Sequence, residues 1–143
     1  MKTYAPVLKI ITVLLFLLTS GCQTFQQVDQ KTLLDEALRE YMMYLRWQDF
    51  HDAATFMVKE NQAAFLEDFS GKEDLNITDL TLVNQAATAN PNEYQVVLRL
   101  EYFLLPSNTV RTKDIHQTWV LILDPKSIKP KGWFIATPFP EFP

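Results

Sequence analysis

The sequence predicts an α+β domain in which helices come first and pack on one face of a curved antiparallel sheet of about four strands. Two patterns carry that expectation. Leu34, Leu38, Tyr41, Met42 and Leu45 recur at three- and four-residue spacing, the period of a helix with one apolar stripe. Tyr94, Val96, Leu98, Leu100, Tyr102 and Leu104 alternate with Gln95, Val97, Arg99, Glu101 and Phe103, the period of a half-buried strand. Their order matters equally. Helical spacing stops at Gly71 and strand-like segments follow in succession, so helices and strands are segregated rather than interleaved. A length of 143 residues, 48% hydrophobic and 21% charged, accommodates one globular domain and a short targeting segment.

Lys2 and Lys9 lead into an apolar run, Ile10 to Leu18, broken only by Thr12; the small residues Thr19, Ser20 and Gly21 follow, and then Cys22. A charged start, a short apolar stretch and a small-residue cleavage site describe a secretory signal peptide over residues 1–21. At about 1.5 Å per residue the run spans roughly 14 Å, too short for the ~30 Å hydrocarbon core of a bilayer. Residues 22–31, rich in glutamine and without strong periodicity, read as a polar tether whose Phe25 and Val28 are either free or docked on the domain.

A first helix is expected over 32–47, opened by Thr32 and Asp35 as a capping box and carrying Asp35 and Arg39 as a weak solvated pair. Asp49 is suited to cap a second helix with Phe50, Ala53, Ala54 and Met57 on one face. A third runs from Asn61, its cap, to Phe69 and ends at Gly71. Strands are expected at 76–88, 94–104, 113–123 and 132–137. The turn Asn90-Pro91-Asn92 joins the first two, and a loop at 124–131 with two prolines and three lysines joins the last two. Alternating prolines at 138–143 leave an extended tail that cannot be a central strand.

Leu18-Thr19-Ser20-Gly21-Cys22 resembles the lipobox of bacterial lipoproteins, with Thr19 in the slot usually held by leucine. The resemblance implies diacylglycerol on the Cys22 thiol, cleavage before that residue and acylation of the new amine by a fatty acid such as palmitate. Gln23 is not the aspartate of this family's retention rule, which implies sorting from the cell membrane to the outer membrane, facing the periplasm, if the organism has two membranes. An ordinary secretory signal with a chance cysteine is the alternative. Loss of residues 1–21 removes Lys2 and Lys9 and no acid, leaving 11 basic against 17 acidic residues, a net charge of −6. Acyl chains in Cys22, not a polybasic patch, would then hold the domain on the lipid bilayer.

The order of elements over 32–137 is similar to the NTF2-like superfamily, a cone of curved sheet around N-terminal helices. The residues carrying it are the helix-turn-helix Tyr44 to Phe56, with Trp47, Asp49, Phe50 and the Ala53-Ala54 pair, together with Gln117-Thr118-Trp119-Val120 and Gly132-Trp133-Phe134-Ile135. The chain departs from that pattern at 124–131, longer than the tight hairpin usual there. A cystatin-like roll on one long helix is the alternative architecture.

A net charge of −4 excludes the basic footprint of a nucleic-acid binder. One cysteine and two histidines exclude multi-thiolate and three-histidine metal centres, and three glycines leave no phosphate-cradling loop. No metal and no cofactor is expected. Asp114 and His116, two apart on one strand, share a face and are the catalytic candidates, as orienting acid and general base, if that face lines a cone. On a solvated face the same pair is only polar surface. His51 with Asp49 and Asp52 has spacings that splay the side chains on a helix and supplies no third ligand pointing the same way. The superfamily's enzymes, such as ketosteroid isomerases and polyketide cyclases, place an acid and tyrosines in the cone, and no residue here matches such a site closely enough to be carried over. Tyr41, Tyr44, Tyr94 and Tyr102 are the ligand-binding candidates if they line a cavity; tyrosines packed with bonded hydroxyls are the default. Phe139 and Phe142 in the tail either fold back or offer a docking surface to a partner. The expected function is a non-enzymatic binding or scaffolding module for an envelope protein, a second copy or an apolar ligand. An isomerase- or hydrolase-type enzyme and a structural subunit of an envelope machine are the alternatives.

Overall fold

The computed structural model describes residues 22–123 and 130–141. Among them are three helices, α1 (Cys22–Arg46), α2 (Phe50–Ala54) and α3 (Lys59–Phe69), followed by four strands, β1 (Leu75–Ala87), β2 (Glu93–Leu104), β3 (Arg111–Leu123) and β4 (Pro130–Ile135). The strands make one open antiparallel sheet in the order β1-β2-β3-β4. The segregated α+β class expected from the pattern is the one adopted. The chain divides into two compact units between Leu34 and Asp35, and the sheet, α2, α3 and the end of α1 lie in the second. The signal segment 1–21, the loop residues 124–129 and Phe142 fall outside the described residues.

Helix α1 begins at Cys22, ten residues ahead of the expected start, so the stretch expected as an aperiodic tether is helical. Nothing between Cys22 and Arg46 breaks a helix, and glutamine is a good helix former, so the helix propagates where amphipathic period is absent. Thr32 and Asp35 therefore lie inside α1 and have no helix start to cap. Asp35 instead accepts a 2.9 Å hydrogen bond from the Gln85 amide of β1, and Arg46 meets Asp79 of the same strand at 3.7 Å.

The expected stripe on α1 is present: Leu38, Tyr41 and Leu45 are buried. On β2 the buried residues are Val96, Leu98, Leu100 and Tyr102; on β3 they are Ile115, Gln117, Trp119 and Leu121. Directly opposite residues share a face, and the register sets Leu98 against Ile115 and Val96 against Gln117. Strand β1 resists a single alternating pattern because its register slips twice, between Ile77 and Asp79 and between Leu82 and Asn84. Each extra residue reverses side-chain parity. The set facing the helices passes from Leu75 and Ile77 to Leu80 and Leu82, and then to Gln85, each opposite a core-facing residue of β2.

Trp119 sits at the centre of the core, fully buried, its ring edge-on to Tyr41 at 5.7 Å and 77°. Gln117 joins these two: its amide nitrogen donates to the Tyr41 hydroxyl at 2.9 Å, and its carbonyl accepts from the Trp119 indole at 3.2 Å. Among the described residues no buried side-chain nitrogen or oxygen lacks a partner.

Helix α2 stops at Ala54, so Met57 does not extend its apolar face. The segment Phe56–Val58 turns outward along β4 instead: Ile135 N–H donates to the Phe56 carbonyl at 2.7 Å, Val58 N–H donates to the Ile135 carbonyl at 3.0 Å, and Met57 bridges Ile135 in parallel. That pairing covers the β4 edge and starts α3 at Lys59. Asn61, expected as its cap, lies inside the helix and donates its amide to the Ala136 carbonyl at 2.9 Å.

Beyond β4 the chain runs back along β3. Ala136 N–H donates to the Thr118 carbonyl at 2.8 Å, and Thr118 N–H donates to the Thr137 hydroxyl at 2.7 Å. Phe139 is buried edge-on against Phe65 at 5.3 Å and beside Phe69 at 5.2 Å. Lys113 then donates to the Glu141 carbonyl. Phe139 is thus a core residue and not an exposed docking group, because two phenylalanines of α3 offer its ring more apolar contact than water does.

Candidate functional site

An open cleft of about 500 Å³ lies where the α1–α2 turn faces α3, lined by Asp49, Phe50, His51, Leu66, Glu67 and Phe69 among others. Its upper wall is a helix end. Asp49 N–H donates to the Tyr44 carbonyl at 2.9 Å and Gln48 N–H to the Leu45 carbonyl at 3.0 Å, the paired bonds of a Schellman motif. That motif needs a left-handed residue, and Gln48 supplies it with φ 59°. Its side-chain carbonyl accepts from Ile77 N–H of β1 at 3.2 Å, which fixes the turn to the sheet.

Asp49 then caps α2 as expected, accepting from Asp52 N–H at 3.3 Å. The short helix directs Phe50 onto Phe69, where the rings stack at 4.1 Å and 12°. The cleft therefore has an aromatic and aliphatic floor, with two carboxylates and an imidazole among its lining groups. Sequence spacing argued against Asp49 and His51 as a site and gave no sign of Glu67 and Leu66, which only the folding of α3 against the turn brings near. Trp47, between the end of α1 and the left-handed residue, is 79% exposed, far more than Trp119 or Trp133.

Asp114 and His116 do share a face of β3, and it is the solvent face. Ile115, Gln117 and Trp119 point into the core, so the even-numbered residues point away. The register sets Asp114 opposite Arg99, whose guanidinium grips the carboxylate in a fork, Nε to Oδ1 at 2.8 Å and Nη2 to Oδ2 at 3.0 Å. That grip holds the Asp114 carboxyl below its ordinary range and raises Arg99. His116 stands opposite Val97 and is exposed. The pair is not in a cone, and the acid already serves a guanidinium rather than the imidazole.

The four tyrosines are not gathered around a ligand space. Tyr41 is sealed in the core, where burial pushes its phenol well above the usual value despite the bond from Gln117. Tyr44 packs against Phe56 at 6.2 Å, and Tyr94 stands edge-on to Trp133 at 5.6 Å. Tyr102 is buried on β2 opposite Ile77. Among the described residues no group of three histidine, cysteine, aspartate or glutamate side chains could hold a metal ion, and no helix is long and apolar enough to cross a membrane. Cys22 is the first residue of α1.

No protein-family model, curated protein or solved structure matches the chain. Its geometry offers a shallow amphipathic cleft and a self-paired polar sheet face. Among the described residues it brings no nucleophile, base and oxyanion donor together in the cleft.

Proposed function

We propose that the protein is a lipid-anchored lipoprotein of the cell envelope whose domain is a non-enzymatic binding module. The observation that carries the anchor is the place of the chain's one cysteine, directly after the apolar run Ile10 to Leu18 and three small residues. A net charge of −6 after loss of residues 1–21 offers no electrostatic hold on an anionic bilayer, so attachment through Cys22 is covalent and insensitive to salt. Sorting to the outer membrane, facing the periplasm, follows from Gln23 where the organism has two membranes.

For the domain, the NTF2-like reading is supported by the helices ahead of an antiparallel sheet and by Trp119 and Trp133 on its last two strands. The binding reading is supported by the loss of the enzyme's best residues to other work: Asp114 to Arg99 and Tyr41 to the core. The cleft floored by Phe50 and Phe69 is the place for a ligand or protein partner.

Expression of the full chain and of Cys22→Ser in a two-membrane bacterium fed radiolabelled palmitate tests the anchor. Label and retention in the lipid fraction after a high-salt wash are expected for the unmodified chain and lost in Cys22→Ser. A Cys22→Ser chain still processed and membrane-bound would overturn it. For the domain, His51→Ala and Glu67→Lys in the cleft lining are expected to lower capture of envelope partners while leaving the fold intact.

A further inference from the structure

The tail after β4 is held differently from every strand of the sheet. Pro138 and Pro140 have no N–H to give to β3, and each forces an extended residue before it. The contacts that hold residues 136–141 include Ala136 and Thr137 on Thr118, the Asn61 amide of α3 on the Ala136 carbonyl, Phe139 on Phe65 and Phe69, and Lys113 on the Glu141 carbonyl. The receiving groups lie on α3 and β3, elements complete without the tail. They form a socket for an extended segment with a proline-flanked phenylalanine, a hydroxyl two residues before the ring and a backbone carbonyl two residues after it.

From this we infer that the socket is a peptide-binding site filled in cis by the chain's own tail, and that its partner in trans is the tail of a second copy. The tail is the one segment whose fit is visible, and every copy carries both halves of the match. Exchange between two copies breaks and remakes the same contacts, the condition under which segment swapping has little cost. A strand held by a ladder of backbone bonds would lose all of them on leaving, whereas here the ring, the Thr137 hydroxyl and the Glu141 carbonyl release together. The exchange pivots after Ala136, whose bonds to Thr118 and Asn61 stay in place, leaves β4 in its own sheet and does not depend on the lipid anchor.

Full-length Phe139→Ala, with an intact socket and a disabled tail, tests the site against a fluorescein-labelled peptide copying residues 136–141. Saturable binding is expected, at least tenfold weaker for the unmodified chain, whose own tail competes, and lost when the peptide carries alanine in place of phenylalanine. No binding by a Phe139→Ala chain with native circular dichroism overturns the site, as does equal binding of the alanine peptide. For the second copy, Phe139→Ala mixed with unmodified chain is expected to give heterodimers in native mass spectrometry that rise with concentration, while Phe139→Ala alone stays monomeric. Peptide binding without heterodimer overturns the exchange. If Phe139→Ala does not fold, a mixture of ¹⁵N- and ¹³C-labelled unmodified chains at millimolar concentration decides: intermolecular contacts from Phe139 to Phe65 and Phe69 are expected, and contacts within one copy alone overturn it.

Discussion

Gln48 ends α1 in a left-handed conformation, φ 59°, and its side-chain carbonyl accepts the Ile77 N–H of β1 at 3.2 Å. One residue thus terminates a helix and satisfies a backbone donor on an edge strand, which would otherwise face water or another chain. The same bond fixes the turn from which Asp49 and Phe50 enter the cleft.

Gln48→Ala keeps the left-handed strain and loses the bond, so urea denaturation is expected to give a loss of about 1 kcal/mol, a shift of a few degrees in Tm. Gln48→Gly also loses the bond but relieves strain worth roughly 1 kcal/mol, and should lie between the alanine variant and the unmodified chain. An alanine variant as stable as the parent would show that the bond contributes nothing.

Gln117 bridges two buried groups, and its removal leaves both without a partner. Gln117→Leu is expected to cost about 2–6 kcal/mol, from unpaired Tyr41 and Trp119 groups at ~1–3 kcal/mol each. Tyr41→Phe strands only one amide hydrogen and should cost about half as much. The double variant should be less destabilised than the sum of the two, because the bond between them is lost only once; a chemical-denaturation cycle measures the difference.

Burial raises the Tyr41 phenol above its ordinary value of 10.0. The folded chain therefore keeps a proton that the unfolded chain releases. Its contribution to stability is complete below about pH 10 and falls as pH rises beyond that. Denaturation between pH 8 and 11 should show a steeper alkaline decline in the parent than in Tyr41→Phe. Parallel curves would argue against a proton held at this site.

Asp114 is held below its ordinary carboxylate value, first by its hydrogen bonds from Arg99. A depressed folded value means that its contribution is present above the unfolded value near 3.8 and is lost as pH falls through the folded one. In Arg99→Gln, carboxyl-detected NMR should find Asp114 titrating at higher pH than in the parent. As an exposed pair it should leave neutral-pH stability nearly unchanged, and high salt should narrow the difference.

Trp47 and Trp119 separate surface from core. Trp47→Ala, at 79% exposure, is expected to change stability by less than about 0.5 kcal/mol. Trp119→Ala, fully buried, should cost about 3–5 kcal/mol. Thermal melts monitored by far-ultraviolet circular dichroism compare them directly.

The sequence by itself determined the α+β class, the stripe of α1, the alternation of β2, the Asp49 cap and the shared face of Asp114 and His116. All of these rest on period or on neighbours within one turn, which local geometry dictates. Tertiary structure alone decided which side of the sheet that shared face is on, because period fixes relative orientation and not direction toward a core. It also decided the two parity reversals of β1, since an extra residue shows only against the partner strand. The early start of α1 escaped period because it rests on helix propensity and the lack of a breaker. The Phe50–Phe69 stack, the place of Glu67 on the cleft and the burial of Phe139 between Phe65 and Phe69 join residues distant in the chain. Contacts of that kind are settled by which apolar surfaces find one another on folding, and no local pattern encodes them.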